Sequence, residues 1–208
     1  MAAVSGHPAN EDGVTGVPSA FQEAVSALRA ARLRPEVVLG ETPAPRKLAP
    51  YAFALTATVE VDGEELADGQ LVLLHEPNGH EAWQGEFRLV SLGRAELEPE
   101  MAQDPLLPEV SWDWLTDSLA QQGAGYTAPS GTVSRCSSQY FGGLSERPSN
   151  TDIEIRASWT PVTSGPADFT AHLRAWCELL CLCAGLPPHL PGSASAKTVA
   201  LPTRRRPH

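Results

Sequence analysis

The chain has 208 residues and a formal net charge of −10, from 25 acidic against 15 basic side chains. That length fits one domain, and an acidic body repels phosphate backbones, which argues against a general nucleic-acid surface. No stretch reaches the roughly 20 apolar residues of a membrane-spanning helix, and no basic residue precedes Arg29, so neither a membrane partner nor a secretory leader is expected and the expected location is cytoplasmic.

Residues 1–18 are small, polar and punctuated by Gly and Pro, a composition expected to stay disordered. A helix is expected from about Ser19 to Leu33, with Ser19 as N-cap and Gln22 completing a capping box. Phe21, Val25 and Leu28 recur at helical spacing and mark its inward stripe. Arg29, Arg32 and Arg34 lie where the helix dipole favours cations and read as solvated charges. Residues 35–50 contain four prolines and read as an extended connection, whose Val37-Val38-Leu39 can add a short edge strand.

Residues 48–97 organise the rest. Tyr51, Phe53, Leu55, Val59 and Val61 share one parity, and small or polar residues share the other, as in a half-buried strand. Asp62-Gly63 is a hairpin signal. A second strand is expected from about Glu65 to His75, with a bulge at Asp68-Gly69. Pro77-Asn78-Gly79 marks the next turn. A third strand is expected from about Ala82 to Ala95, with Trp83, Phe87 and Leu89 on one face.

Asp104-Pro105 opens a helical stretch reaching Gln122, with Pro108 breaking its first turn and Ser111 capping a restart. Trp114, Leu115, Ser118 and Leu119 give its inward stripe. Trp112 is offset from Trp114 by about 200° on a helical wheel and turns away from it. Tyr126–Ser138 reads as a fourth strand bent at Pro129–Gly131, and Asp152–Pro161 as a cleanly alternating fifth. A last helix is expected from after Ser164-Gly165-Pro166 to Ala184, with Phe169, Leu173, Trp176 and Leu180 inward. Residues 187–208 read as a mobile Pro/Arg tail.

This order implies a single α+β domain over residues 19–186. It is a two-layer fold, an antiparallel sheet of about five strands with helices covering one face. The element order is similar to that of the secretion-chaperone-like fold, an analogy that implies a binding role.

The sequence carries no phosphate loop, nucleophile elbow or dinucleotide fingerprint, and no cofactor is expected. Cys136, Cys177, Cys181 and Cys183 lack zinc spacing and read as small buried thiols in a reducing compartment. His75 and His80 approach a metalloprotease motif, but the spacing is one residue too long and Pro77 and Gly79 forbid the helix. Facing each other across a hairpin, they are the metal candidates. Arg94, Glu96, Glu98 and Glu100 share one parity if the third strand continues. The three glutamates are the acid–base candidates of a metal-assisted hydrolase. Arg94 and Arg156 can meet one carboxylate across neighbouring strands, with Glu154 on the same polar parity. Arg94, Arg156 and Trp112 are the partner-binding candidates, Trp112 as an exposed aromatic anchor. Arg204–Arg206 is the one segment suited to nucleic acid.

A set of segments carries a family resemblance: Pro50-Tyr51-Ala52, residues 62–67, residues 94–101, Asp104-Pro105-Leu106-Leu107, Trp112-Asp113-Trp114-Leu115, residues 153–160 and Ala200-Leu201-Pro202. Over about residues 19–202 the chain resembles an actinobacterial family of uncharacterised proteins, domain of unknown function 3000. The resemblance implies no activity. Association of that family's genes with a ribonuclease D-like gene and haem-synthesis genes implies an RNA-processing or housekeeping context. Three functions are thus set out: a non-enzymatic protein-binding or adaptor module, a small hydrolase, and an RNA-metabolism accessory protein.

Overall fold

The computed structural model describes residues 16–188. Residues 1–15 and 189–208, which hold most of both expected tails and the Arg204–Arg206 run, lie outside the described residues.

Helix α1 (Ser19–Arg29) buries Phe21, Ala24, Val25 and Leu28. Its start is not the expected capping box. Ser19 is already helical, and Gln22 turns its side-chain amide back to donate to the Val17 carbonyl at 2.7 Å. Of the arginines expected in solvent, Arg29 pairs with exposed Glu41 at 2.8 Å. Arg34 is not solvated: its side chain is 10% exposed and lies 3.1 Å from Glu36 and 3.6 Å from Glu178.

The strands are β1 (Val37–Thr42), β2 (Tyr51–Val61), β3 (Glu64–His80), β4 (Gly85–Glu96), β5 (Tyr126–Ser138) and β6 (Asn150–Pro161). They form one sheet in the order β1-β2-β3-β4-β6-β5, every pair antiparallel. The fold is the expected α+β, with a sixth strand because the Val37–Thr42 segment pairs along β2.

Asp62 and Gly63 turn β2 into β3 with positive φ at both positions, the geometry of a tight hairpin. The expected bulge at Asp68-Gly69 lies instead at Leu66, the residue left over between the pairs Val59–Ala67 and Glu60–Glu65. Gly69 serves close approach: a Cβ there would lie 2.8 Å from the Trp176 ring and 2.6 Å from the Leu92 carbonyl. The turn expected at Pro77–Gly79 is also displaced. Those residues form an unpaired excursion within β3, His80 pairs with Gly85, and a 3₁₀ turn over Glu81–Trp83 closes the hairpin with Gln84 left-handed. Trp83 therefore leaves the strand and joins the face opposite Phe87 and Leu89.

A short α2 (Pro99–Ala102) precedes α3 (Leu107–Gln121). Pro108 sits in the first turn of α3, where the missing N–H removes no helical bond. The helix is not interrupted there. Ser111 is buried and donates to the Leu107 carbonyl at 2.6 Å, so it caps no restart. Helix α4 (Pro166–Cys183) begins where Asp168 accepts the backbone N–H groups of Ser164 and Gly165 at 2.6 and 3.1 Å.

The core lies between helices and one sheet face. Leu55, Leu71, Leu73, Leu89, Ile153, Ile155 and Trp159 pack there with Leu28, Leu115, Leu173 and Trp176. Gly69 and Gly93 are paired across β3 and β4, and they leave the room in which Trp176 and Leu180 of α4 sit. Cys177, Cys181 and Cys183 are buried as expected, but Cys136 is not: it lies on the edge strand β5 and is exposed. Burial pushes the thiols of Cys181 and Cys183 up to about 12.

Candidate functional site

The opposite face of the sheet carries the surface features of interest. Register sets its rows. Ala54, Val72, Val90, Ser158 and Ser130 lie side by side across β2, β3, β4, β6 and β5. The next row on that face is Thr56, Gln70, Leu92, Arg156 and Thr132. The row after it is Thr58, Asp68, Arg94, Glu154 and Ser134. Alternation makes these rows one surface.

Three zones follow along the strands. At one end a small apolar cluster of Ala54, Val72 and Leu74 is covered by Ala44, Ala49 and Trp83. In the middle lies an open trough of about 500 Å³, with Val72, Val90 and Leu92 on its floor and Gln70, Ser130, Thr132, Arg156 and Ser158 around them. At the far end a second hollow of about 470 Å³ is lined by Glu65, Asp68, Glu96, Asp152, Glu154, Arg94 and Cys136.

Arg88 sits beside the trough and was not singled out from the sequence. It is 7% exposed. Nη1 donates to the Ala128 carbonyl at 2.8 Å and to Thr160 Oγ1 at 3.1 Å. Nη2 donates to Ser158 Oγ at 2.8 Å, and to Ser130 Oγ and the Ser158 carbonyl at 3.2 Å each. Its position explains part of this. β5 slips register between Thr127 and Ser130, Ala128 takes φ 47°, and the guanidinium satisfies a carbonyl that the slip takes out of the ladder.

The residues proposed from sequence divide. Arg94 and Arg156 both reach Glu154, at 2.9 and 2.7 Å. The bond from Arg94, aided by Arg156, holds the Glu154 carboxyl below the usual carboxylate range. Glu96 pairs in register with Asp152 and joins the acidic hollow. Glu98 and Glu100 do not join it. β4 ends at Glu96, Glu98 becomes the N-cap of α2 and Glu100 lies within α2, so the shared parity stops. The two histidines do not face each other. His75 is buried between Phe87, at 4.1 Å between ring centres, and Phe21, at 5.9 Å. His80 is exposed and stacks on Trp83. The extra length of β3 between His75 and His80 separates them. Among the described residues, no group of three or more His, Cys, Asp or Glu side chains is placed to hold a metal ion. No helix among them is long and apolar enough to cross a membrane.

Trp112 is half-buried, not a free aromatic. Its ring lies against Gly131 of β5, where a Cβ would approach it to 2.6 Å. Trp114, on another side of α3, also packs against the core.

A family model described as a protein of unknown function, DUF3000, matches residues 17–193. The chain belongs to the DUF3000 family. No curated protein and no solved structure matches it. The match spans the sheet and the four α-helices among the described residues of this DUF3000 chain, including every residue of the trough and of the acidic hollow.

The Arg94–Glu154–Arg156 triad makes a modest prediction. Both arginine side chains are at least half exposed, so solvent screens the pair. Glu154→Gln is expected to cost about 0.5–1 kcal/mol in urea unfolding at pH 7, and less in 1 M salt. A loss above about 2 kcal/mol would show the triad to be a structural clasp.

Proposed function

We propose that this chain is a non-enzymatic, cytoplasmic protein-binding or adaptor module whose partner docks on the uncovered face of the sheet. One observation carries the proposal: the middle of that face is an open trough with an aliphatic floor of Val72, Val90 and Leu92. Contiguous apolar surface framed by polar groups is characteristic of a protein contact. The helices pack on the other side of the sheet, where they complete the core. The hydrolase reading has less support, because Glu96, Glu98 and Glu100 separate at the end of β4.

Leu92 projects from the open face and stays out of the core cluster, so changing it tests docking without opening the fold. A pull-down from the native cell with the wild-type chain is expected to recover a partner that Leu92→Arg loses at least tenfold. The melting temperature of the variant is expected to stay within about 2 °C. Trp112→Ala, which changes the α3 side of β5, is expected to retain the partner. Equal recovery by wild type and Leu92→Arg would show that the partner does not dock in the trough.

A further inference from the structure

We infer that the Ser130–Ser158 side of the trough is a carboxylate site, which takes the acidic side chain of an extended partner segment flanked by apolar residues. Resting on the docking function proposed above, this adds the chemistry of the partner.

Three observations support it. The first is the electrostatic state of Arg88. The groups that accept its five hydrogen bonds are two backbone carbonyls and three hydroxyls, all neutral. The ion pairs among the described residues use Arg29, Arg34, Arg94 and Arg156, and none uses Arg88. Hydrogen bonds to neutral oxygens satisfy its N–H groups but leave its charge uncompensated. A buried charge in that condition gains strongly from a nearby anion. Burial lowers the Arg88 pKa, yet a guanidinium stays protonated in proteins.

The second observation is a count of protons. Ser130 Oγ and Ser158 Oγ each accept from Arg88 Nη2, and they lie 3.1 Å from each other. A hydroxyl has one proton to give. One of the two protons is used between the hydroxyls, and the other remains to donate elsewhere. Both serines line the trough, so that donor, polarised by the cation behind it, is available to an acceptor lying there. A carboxylate oxygen is such an acceptor, and its charge answers that of Arg88.

The third observation is what the trough lacks. The chain has 25 acidic side chains, and among the described residues none lines the trough. The acids of this face are gathered in the neighbouring hollow, with Glu65, Asp68, Glu96, Asp152 and Glu154. The one charged group among the described residues of the trough rim is Arg156. An incoming carboxylate thus meets the remaining serine hydroxyl donor with the Arg88 charge behind it, and Arg156, which Glu154 already holds, at the rim, on an aliphatic floor that calls for apolar neighbours on either side of it.

The test uses the isotope-labelled full chain, titrated by amide chemical shifts with acetyl-Val-Glu-Val-amide and acetyl-Val-Gln-Val-amide at constant ionic strength. The expected result is that the Glu peptide moves the Ser130, Thr132 and Ser158 amides and binds at least tenfold more tightly than the Gln peptide. That preference is expected to collapse to within twofold in a Ser130→Ala, Ser158→Ala double variant. This variant leaves the Arg88 bonds to Ala128 and Thr160 in place, which Arg88→Met would not. Equal affinity for the two peptides would overturn the carboxylate site while leaving apolar docking standing. Absence of shifts with both peptides, while Leu92→Arg still loses the cellular partner, would also overturn it. Tighter binding of inorganic phosphate at the same amides would overturn it in favour of a phosphate ligand. Loss of peptide binding together with an unaffected Leu92→Arg pull-down would count against the docking surface itself.

Discussion

Acidification from pH 7 to pH 4.5 is expected to destabilise the fold by about 3 kcal/mol, with His172 as the main single cause. His172 lies on α4 with no exposed surface. Its Nδ1 accepts a hydrogen bond from the Trp159 indole at 3.2 Å, so the neutral ring is the form that fits. Burial pulls its pKa down to about 4, against the opposing influence of Asp168 and the Gly125 backbone. An unfolded imidazole titrates near 6.5. Above that value the ring is neutral in both states and costs nothing. As pH falls from about 6.5 towards 4, the unfolded chain takes up a proton that the folded one refuses, and stability is lost at about 1.4 kcal/mol per unit. Below about 4 the loss levels off. Buried His75 is shifted in the same direction, first by desolvation, and adds to the effect. Urea unfolding at pH 7, 6, 5 and 4.5 measures the slope. His172→Gln, which keeps an acceptor for Trp159 and removes the titration, is expected to flatten it by about 2 kcal/mol or more. Parallel pH profiles for wild type and variant would exclude His172 as the source.

Gly69→Ala is expected to cost about 3 kcal/mol, out of proportion to one methyl group. The added carbon meets the Leu92 carbonyl at 2.6 Å, Trp176 at 2.8 Å and Leu180 at 3.0 Å. The carbonyl belongs to the β4 ladder and cannot swing aside. Trp176 has no exposed surface and is packed on all sides by the core. Relief requires α4 to lift from the sheet, which loosens the whole core layer. Gly143→Ala is the control, since a carbon there meets nothing within 4 Å, and it is expected to change stability by less than about 0.5 kcal/mol. Urea unfolding of the two variants under one condition decides the point. Equal stabilities would mean that α4 is not seated against Gly69 as described.

Much of the fold is legible in the chain because alternation is a local property. The parity of Tyr51–Val61 and of Ile153–Trp159 is enforced by burial on one face, and it survives unchanged in β2 and β6. Turns and glycines are less legible, because one residue type serves several ends. Pro77-Asn78-Gly79 has the composition of a hairpin, yet the chain closes further on, at Gln84, which adopts the left-handed region without being glycine. Asp68-Gly69 has the composition of a bulge, but Gly69 is small because α4 presses on it, a contact with a residue more than a hundred positions away. The meeting of Arg94 and Arg156 on Glu154 was readable as soon as β4 and β6 were taken as neighbours. Arg88 was not. It has the polar parity of β4, and nothing nearby announces that the turn at Trp83 and the slipped register of β5 enclose it. The one signal available was an arginine lodged between Phe87 and Leu89, inside the short apolar run that continues to Val90.

The unequal burial of the four thiols gives the molecule a single natural attachment point. Alkylation requires a thiolate that a reagent can reach. The side chains of Cys177, Cys181 and Cys183, all on α4, are buried and held protonated at neutral pH. Cys136 stands exposed on β5 and lines the acidic hollow next to the trough. A maleimide fluorophore added to the unmutated protein therefore lands at one address, close enough to register by its emission whatever settles on the neighbouring strands.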